Sequence, residues 1–234
     1  MTKTNQQKVK DFLINNGVII VMFILVIYTG FTSDNFFTKN NFMNILMNMS
    51  SRLVIALGIA GCVITAGCDL SAGRMIGFGA CISGMLLQRM DYSGKFFPDM
   101  QPLNVFVVAL IAMLVCAAFG TVTGFFIAYL NVPPFIATLA MMEIVYGIGL
   151  IVTNATPLGG YVEQYTNVSN GKFLGINYLI WIAIIVAVIT WFIFNMTRHG
   201  KYMYAIGGNP QAAEVAGVPV KATLILIYMK AAAM

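Results

Sequence analysis

Residues 103–130 read LNVFVVALIAMLVCAAFGTVTGFFIAYL, a run of 28 residues without a charged side chain. A helix that crosses the hydrocarbon core of a bilayer needs about 20 predominantly apolar residues. This run is long enough to cross the bilayer at a tilt or to extend beyond it. It predicts a transmembrane helix, and the rest of the chain is interpreted outward from it.

The composition of the whole chain agrees with that interpretation. Of its 234 residues, 59% are hydrophobic and only 9% are charged, and the mean hydropathy is +0.85. Soluble domains carry about 25% charged residues. A globular protein of this length could not bury so much apolar surface in one core, so lipid must cover the remainder. The net charge of +5 is therefore expected to mark membrane topology and does not indicate a nucleic-acid partner.

The fold class predicted is an all-α integral membrane protein with about six transmembrane helices and an incomplete seventh. The first apolar run follows several lysines and resembles a secretory signal, but no small-residue cleavage site follows it, so we expect an uncleaved helix. The seventh run, Ala222 to Met229, is too short to span the bilayer. The six predicted spans are 17–33, 52–67, 75–88, 103–130, 134–153 and 178–195.

Basic residues orient these spans. The positive-inside rule places the tail 1–16 and the segment 196–221 in the cytoplasm. Loops assigned to the outside carry an acid near each basic residue. No repeat or soluble domain interrupts residues 1–234, so we expect one transmembrane domain. The cytoplasmic basic residues are Lys3, Lys8, Lys10, Arg198, Lys201 and Lys221.

The segment TAGCDLSAGR, residues 65–74, separates two short apolar runs. Glycine allows the backbone to leave a helix, and broken helices in transporters often mark the substrate path. Thr65, Asp69 and Ser71 are therefore candidate path residues. The alternative is an interfacial turn in which Asp69 or Ser71 caps the helix that starts near Ala72.

Glu143 lies inside the predicted span 134–153. An ionisable group there is expensive unless it is paired, protonated or hydrated, so it is a candidate path residue. The alternative is a neutral glutamic acid bonded to a carbonyl of a neighbouring helix. Asn131, Asn48 and Ser50 are further candidates for contacts with a neutral, hydroxyl-bearing substrate.

The segment 200–218 predicts a short helix on the cytoplasmic side. Gly207, Gly208 and Asn209 indicate a turn, after which Asn209 can cap a helix that begins at Pro210. Gly217 can end it. Small side chains, Ala212, Ala213 and Ala216, would let the groove of a partner protein close over it. The alternative is a solvated connecting loop.

Other motifs narrow the function. Gly120 and Gly124 form a GxxxG pattern suited to close helix packing. Nucleotide-binding, zinc-protease and serine-hydrolase motifs are absent from the sequence. The four cysteines show no metal-ligand spacing. We therefore expect neither a catalytic residue nor a bound metal or cofactor on this chain.

Three motifs, in order, carry a resemblance to a known family: TAGCDLSAG at 65–73, AYLNVPPFIATL at 128–139 and AIGGNPQAAEVAGV at 205–218. The chain resembles permease subunits of bacterial ATP-binding-cassette importers for monosaccharides of the ribose and galactose type. The resemblance extends from about Asn44 to Tyr228.

The resemblance implies a homodimeric pore in the bacterial cytoplasmic membrane, with the bilayer around it. It also implies a separate ATPase subunit that holds ATP and Mg and an extracytoplasmic sugar-binding protein. The segment Gly207–Gly217 would be the coupling helix that seats in the ATPase. Family members continue through further spans, so the chain is expected to be C-terminally truncated. Two alternatives stay open: an ion-coupled transporter or channel, or a non-functional permease fragment.

Overall fold

The computed structural model describes residues 13–14, 16–33 and 35–234. Lys3, Lys8, Lys10 and nearly all of the predicted tail 1–16 therefore lie outside the described residues. The described chain is mostly helical. Its elements are α1 (Gly17–Thr32), α2 (Lys39–Ile64), α3 (Ala72–Leu86), α4 (Val105–Tyr129), α5 (Pro134–Val152), α6 (Glu163–Asn170), β1 (Lys172–Phe173), β2 (Ile176–Asn177), α7 (Tyr178–Met196), α8 (Arg198–Gly208), α9 (Pro210–Val215) and α10 (Val220–Ala233).

Within the described residues, four helices are long and apolar enough to cross a bilayer: α2, α4, α5 and α7. Two shorter apolar helices, α1 and α3, accompany them. The predicted span 52–67 starts too late, because α2 already begins at Lys39. Its first turns are rich in asparagine. A helix tolerates this residue, but a search for apolar runs misses it.

The chain divides into two compact units after Asn48. The described part of the first unit contains α1 and the first turns of α2, and none of the residues of α1 is buried. The turn between these helices is held by Asn41, whose Nδ2 donates a hydrogen bond to the Phe36 carbonyl at 2.8 Å. In this turn the ring of Phe37 lies against Gly30.

The second unit is built around the pair α4 and α10. A Cβ atom added at Gly124 would lie 2.7 Å from the Cα of Ile225, and one at Gly120 would lie 2.6 Å from the Cβ of Ala232. The close packing predicted from the GxxxG pattern is therefore confirmed, with α10 as the partner. The seventh apolar run lies in α10, which continues past Lys230 to Ala233 because alanines are the strongest helix formers.

Two clusters of buried side chains surround this pair. One joins α3, α4 and α5 through residues such as Met75, Phe78 and Met141. The other joins the end of α2 to α8 and α10 through Cys62, Met203 and Tyr228. The second cluster is the one that positions the segments considered next.

The loops between α3 and α4 and between α5 and α6 are joined by Gln88, which is 1% exposed. Its Nε2 donates to the Gly159 carbonyl at 3.1 Å, and its Oε1 accepts from the Phe96 amide at 2.7 Å. β1 and β2 form a short antiparallel hairpin that precedes α7.

Candidate coupling site and translocation path

The helix break follows α2, but glycine does not supply the backbone conformation that makes it. Ala66 has a φ of 57°, and the Gly67 amide donates to the Cys62 carbonyl at 2.8 Å, which closes the end of the helix. Gly67 provides room instead, because a Cβ there would lie 2.5 Å from the Tyr228 hydroxyl. That hydroxyl donates to the Cys68 carbonyl at 3.4 Å. Ala66, and not a glycine as predicted, therefore supplies the backbone conformation at which the chain leaves the helix.

The break lies half-way along its neighbouring helices. The Cys116 thiol, near the midpoint of α4, donates to the Met75 carbonyl in the first turn of α3 at 3.7 Å. The Arg74 guanidinium lies 4.1 Å from the ring centroid of Tyr146, in the middle turns of α5. α3 therefore begins beside the middle of α4 and α5.

The three candidate residues of the break bond to their own chain. Asp69 Oδ1 accepts hydrogen bonds from the Ser71 amide at 2.9 Å and the Ser71 hydroxyl at 2.6 Å. Asp69 and Ser71 are 7% and 2% exposed. The Thr65 hydroxyl donates to the carbonyls of Gly61 and Cys62. Asp69 therefore fixes the turn that leads into α3.

The other candidates lie elsewhere. Asn131 is exposed in the turn between α4 and α5, with a φ of 53°. Glu143 is exposed at the midpoint of α5, on the side opposite the buried Met141 and Val145. It makes no hydrogen bond or ion pair with any described residue, so no described carbonyl fills the role of its predicted partner. Asn48 is exposed, whereas Ser50 is buried in α2.

The segment after α7 contains a helix, α8, that we did not predict. Gly207 and Gly208 are helical, so the turn predicted at these glycines is wrong, and the chain changes direction at Asn209 with φ −159° and ψ 108°. Asn209 Oδ1 accepts from the Ala212 amide at 2.9 Å, and Pro210 begins α9, both as predicted. Gly217 follows the end of α9 with a φ of 82°, also as predicted.

α9 divides into a buried and an exposed side. Ala213 is 4% exposed and Val215 is 91% exposed, so Ala213 anchors the helix to its own chain and cannot face a partner as predicted. Gly207 also faces inward, against the end of α2. We call the exposed residues the docking surface; they are Gly208, Asn209, Pro210, Gln211, Ala212, Glu214, Val215, Ala216 and Gly217.

Two groups were not recognised from the sequence. Arg74 was not among the candidate residues, although an arginine three residues into an apolar helix is a signal in itself. His199, the only histidine, lies in α8 with a buried Nε2 that has no hydrogen-bond partner among the described residues. Burial, together with the nearby charge of Lys230, holds the pKa of His199 below its usual range.

Metal binding has no support in this region. Among the described residues, no three His, Cys, Asp or Glu side chains lie close enough together to hold a metal ion.

Comparison with known proteins decides the family. Residues 41–234 match the family described as the permease component of the branched-chain amino acid transport system. The chain belongs to this permease family. As predicted from the three motifs, its relatives include sugar importers, and the chain is a multi-pass membrane permease subunit, not an enzyme.

The relatives are similar over nearly all of this permease. The galactose/methyl galactoside import permease of Escherichia coli K12 is 39% identical over 97% of this chain and 70% of its own length. The corresponding protein of Haemophilus influenzae is 41% identical over 98% of this chain and 70% of its own length. The ribose import permease of Escherichia coli K12 is 31% identical over 94% of this chain and 66% of its own length. No solved structure matches.

Proposed function

We propose that this permease is the membrane-spanning subunit of an ATP-driven importer of galactose, methyl galactosides or closely related monosaccharides. The observation that carries the proposal is the 39% to 41% identity to galactose/methyl galactoside import permeases, against 31% to a ribose import permease. The mostly uncharged spans suit a neutral substrate, which needs hydroxyl, amide and aromatic contacts more than ion ligands.

The proposed topology has six crossings, formed by α1, α2, α3, α4, α5 and α7, with α10 as the start of a seventh. The N-terminus lies in the cytoplasm and the protein resides in the bacterial cytoplasmic membrane. Arg198, Lys201 and Lys221, all exposed around α8 and α9, support a cytoplasmic position for the docking surface.

The docking surface binds a separate ATPase subunit, which holds ATP and Mg, while this permease binds no cofactor itself. Its support is the exposure of α9 and the apolar side chain of Val215 that α9 presents, because helix-in-groove recognition uses such anchors. A second copy of the permease and an extracytoplasmic sugar-binding protein complete the assembly. ATP binding then moves the docking surface, and the spans alternate between outward-open and inward-open states.

The break formed by Thr65, Asp69 and Ser71 lies on or beside the substrate path. Its support is the level at which α3 begins, because non-helical backbone at membrane depth must be buried in protein or line a wet cavity. The Asp69–Ser71 hydrogen bonds keep this turn fixed, so α3 has a defined start within the membrane. Asn131 and Glu143 are further path residues in this proposal.

Uptake in proteoliposomes tests the proposal. The permease is reconstituted with its ATPase and its sugar-binding protein, and entry of radiolabelled galactose is measured with ATP inside the vesicles. We expect uptake with ATP, none with a non-hydrolysable analogue, and no effect of ionophores.

The ion-coupled alternative is favoured by one observation, the exposed Glu143 at the midpoint of α5. Galactose uptake that does not require ATP and is abolished by an ionophore would establish that alternative. Reconstituted permease that inserts but moves no sugar under any condition would overturn the transport proposal itself.

A further inference from the structure

A cleft of about 180 Å³ opens between α3 and α5, and we call it the α3–α5 cleft. It lies above the helix break, at the level where Arg74 meets Tyr146. None of the candidate path residues named from the sequence lines it. Its lining includes Arg74, Gly77, Cys81, Tyr146, Gly149 and Thr153.

Arg74 makes this cleft unsuitable for lipid. Its guanidinium lies over the Tyr146 ring at 4.1 Å from the centroid, but its N–H groups donate no hydrogen bond to any described residue. An arginine at the centre of a transmembrane helix costs about 2.5–3.5 kcal/mol when it faces hydrocarbon. The cleft must therefore contain water or polar groups.

Glu143 does not line the cleft, but it lies one helical turn before Tyr146, which does. It precedes Tyr146 by three residues, so the two side chains leave neighbouring positions on the helix surface. Both are exposed, and Glu143 has no partner among the described residues. Arg74 and Glu143 do not form an ion pair with each other, so both keep their hydrogen-bonding capacity.

Gly77 lines the cleft and, like Gly73 one turn earlier, does not serve the packing of the described chain. A Cβ atom added at Gly73 or Gly77 of α3 would meet nothing within 4 Å. At Gly124, in contrast, α10 occupies the corresponding space. Glycine inside a helix costs about 0.5–1 kcal/mol relative to alanine. The space at Gly73 and Gly77 is thus free for a group that is not part of the described chain.

We propose that the α3–α5 cleft forms a wall of the substrate path and binds the sugar in transit. Sugar hydroxyls accept hydrogen bonds as well as donate them, so they can accept from Arg74, which only donates. Tyr146 offers a hydroxyl and an aromatic ring that can pack against the C–H face of a pyranose. This inference rests on the proposed function, because it names where the imported monosaccharide makes contact.

Cys81 provides a native reporter, because it lines the cleft and is partly exposed. The reconstituted importer is treated with a charged, water-soluble methanethiosulfonate, and modified cysteines are mapped by peptide mass spectrometry. We expect modification of Cys81 and slower modification during galactose transport. Leu114→Cys, on α4 and 60% exposed, is the lipid-facing control and should not react with the charged reagent.

Substitutions in the cleft give an independent readout. Arg74→Ala and Tyr146→Ala should each raise the KM for galactose uptake about tenfold or more, as expected when a charge-assisted hydrogen bond or an aromatic contact is lost. Arg74→Lys and Tyr146→Phe should restore part of the affinity. Phe192→Ala, an exposed aromatic on α7, is the matched control and should leave KM unchanged.

The two proposals fail in different ways. Absence of ATP-dependent uptake by the unsubstituted importer would count against the proposed function. If that importer transports galactose but Cys81 does not react in any state, another protein surface covers the cleft and the inference is overturned. Unchanged KM in the folded Arg74→Ala and Tyr146→Ala variants would overturn it as well. The Cys81 measurement needs no substitution in the cleft, so misfolded variants would not prevent a decision.

Discussion

Gly207, the penultimate residue of α8, packs directly against the carbonyl group of Ile64, the last residue of α2. A Cβ atom added at Gly207 would lie 3.0 Å from the Ile64 carbonyl carbon and 3.6 Å from the Thr65 Cα, while one added at Gly208 would meet nothing within 4 Å. Adjacent glycines thus have different roles, one in contact with the helix break and one on the docking surface. A movement of the docking surface would reach the break through this contact.

Gly207→Ala should disturb that contact. The added methyl group collides with backbone atoms, which cannot move aside like the end of a flexible side chain. We expect a loss of about 1–3 kcal/mol in unfolding free energy, measured by thermal unfolding in detergent. Gly208→Ala is the matched control and should keep the melting temperature. Equal losses of unfolding free energy in the two variants would show that the contact does not stabilise the fold.

The α4–α10 pair should be equally sensitive at Gly124. An alanine methyl group would lie 2.7 Å from the Ile225 Cα, so the two helices would have to separate. We expect Gly124→Ala to lower the unfolding free energy by about 1–3 kcal/mol. Gly147→Ala, where a Cβ meets nothing within 4 Å, should be neutral or stabilising by the same measurement. Tolerance of Gly124→Ala would contradict the packing described for this pair.

Ala66→Gly should stabilise the permease. Ala66 adopts a left-handed conformation with a φ of 57°, which costs an alanine about 1–2 kcal/mol and a glycine almost nothing. We expect the free energy of unfolding to rise by about 1 kcal/mol, after allowance for the greater flexibility of glycine in the unfolded chain. Ala80→Gly, at an exposed position inside α3, should instead lose about 0.5–1 kcal/mol. Identical shifts in both variants would refute the conformation at Ala66.

His199 should make the stability of the permease depend on pH. Burial, and secondarily the charge of Lys230, lowers the pKa of His199 from its ordinary value of 6.5. As pH falls through that value, the unfolded chain takes up a proton before the folded chain does, so stability decreases. We expect the melting temperature to drop between about pH 7.5 and pH 5.5 and the drop to shrink in His199→Leu. Parallel profiles for the two proteins would contradict this.

The sequence predicted the elements that local composition decides. The runs 134–153 and 178–195 match α5 and α7 closely, because an uninterrupted apolar run is itself the signal for a span. The cap at Asn209 and the stop at Gly217 were predicted because capping depends on a few neighbouring residues. The start of α2 and the whole of α8 were missed, because both are helical without being uniformly apolar.

The site was less predictable, since its contacts join residues distant in sequence. Nothing in the GGNP motif shows that Gly207 packs on Ile64 or that Ala213 is buried. Arg74 and Tyr146 lie in different helices, and their contact becomes visible only when α3 is seen to begin half-way along α5. The family was nevertheless recognisable, because its three motifs occur in order within one chain.

The central claim is that the docking surface lies in the cytoplasm and binds the ATPase. Val215→Cys places a thiol at a side chain of this surface that is 91% exposed. Leu174→Cys, 78% exposed in the β1–β2 hairpin, is the control, because the account places this hairpin on the opposite side of the membrane. Both are treated with a membrane-impermeant thiol reagent in right-side-out and inverted vesicles, with the ATPase subunit bound in one set and removed from the other.

The account predicts that the thiol at position 215 reacts only in inverted vesicles from which the ATPase subunit has been removed, and that bound ATPase protects it. The thiol at position 174 should react only in right-side-out vesicles. Reaction of the position-215 thiol from the outer side of the membrane would contradict the account.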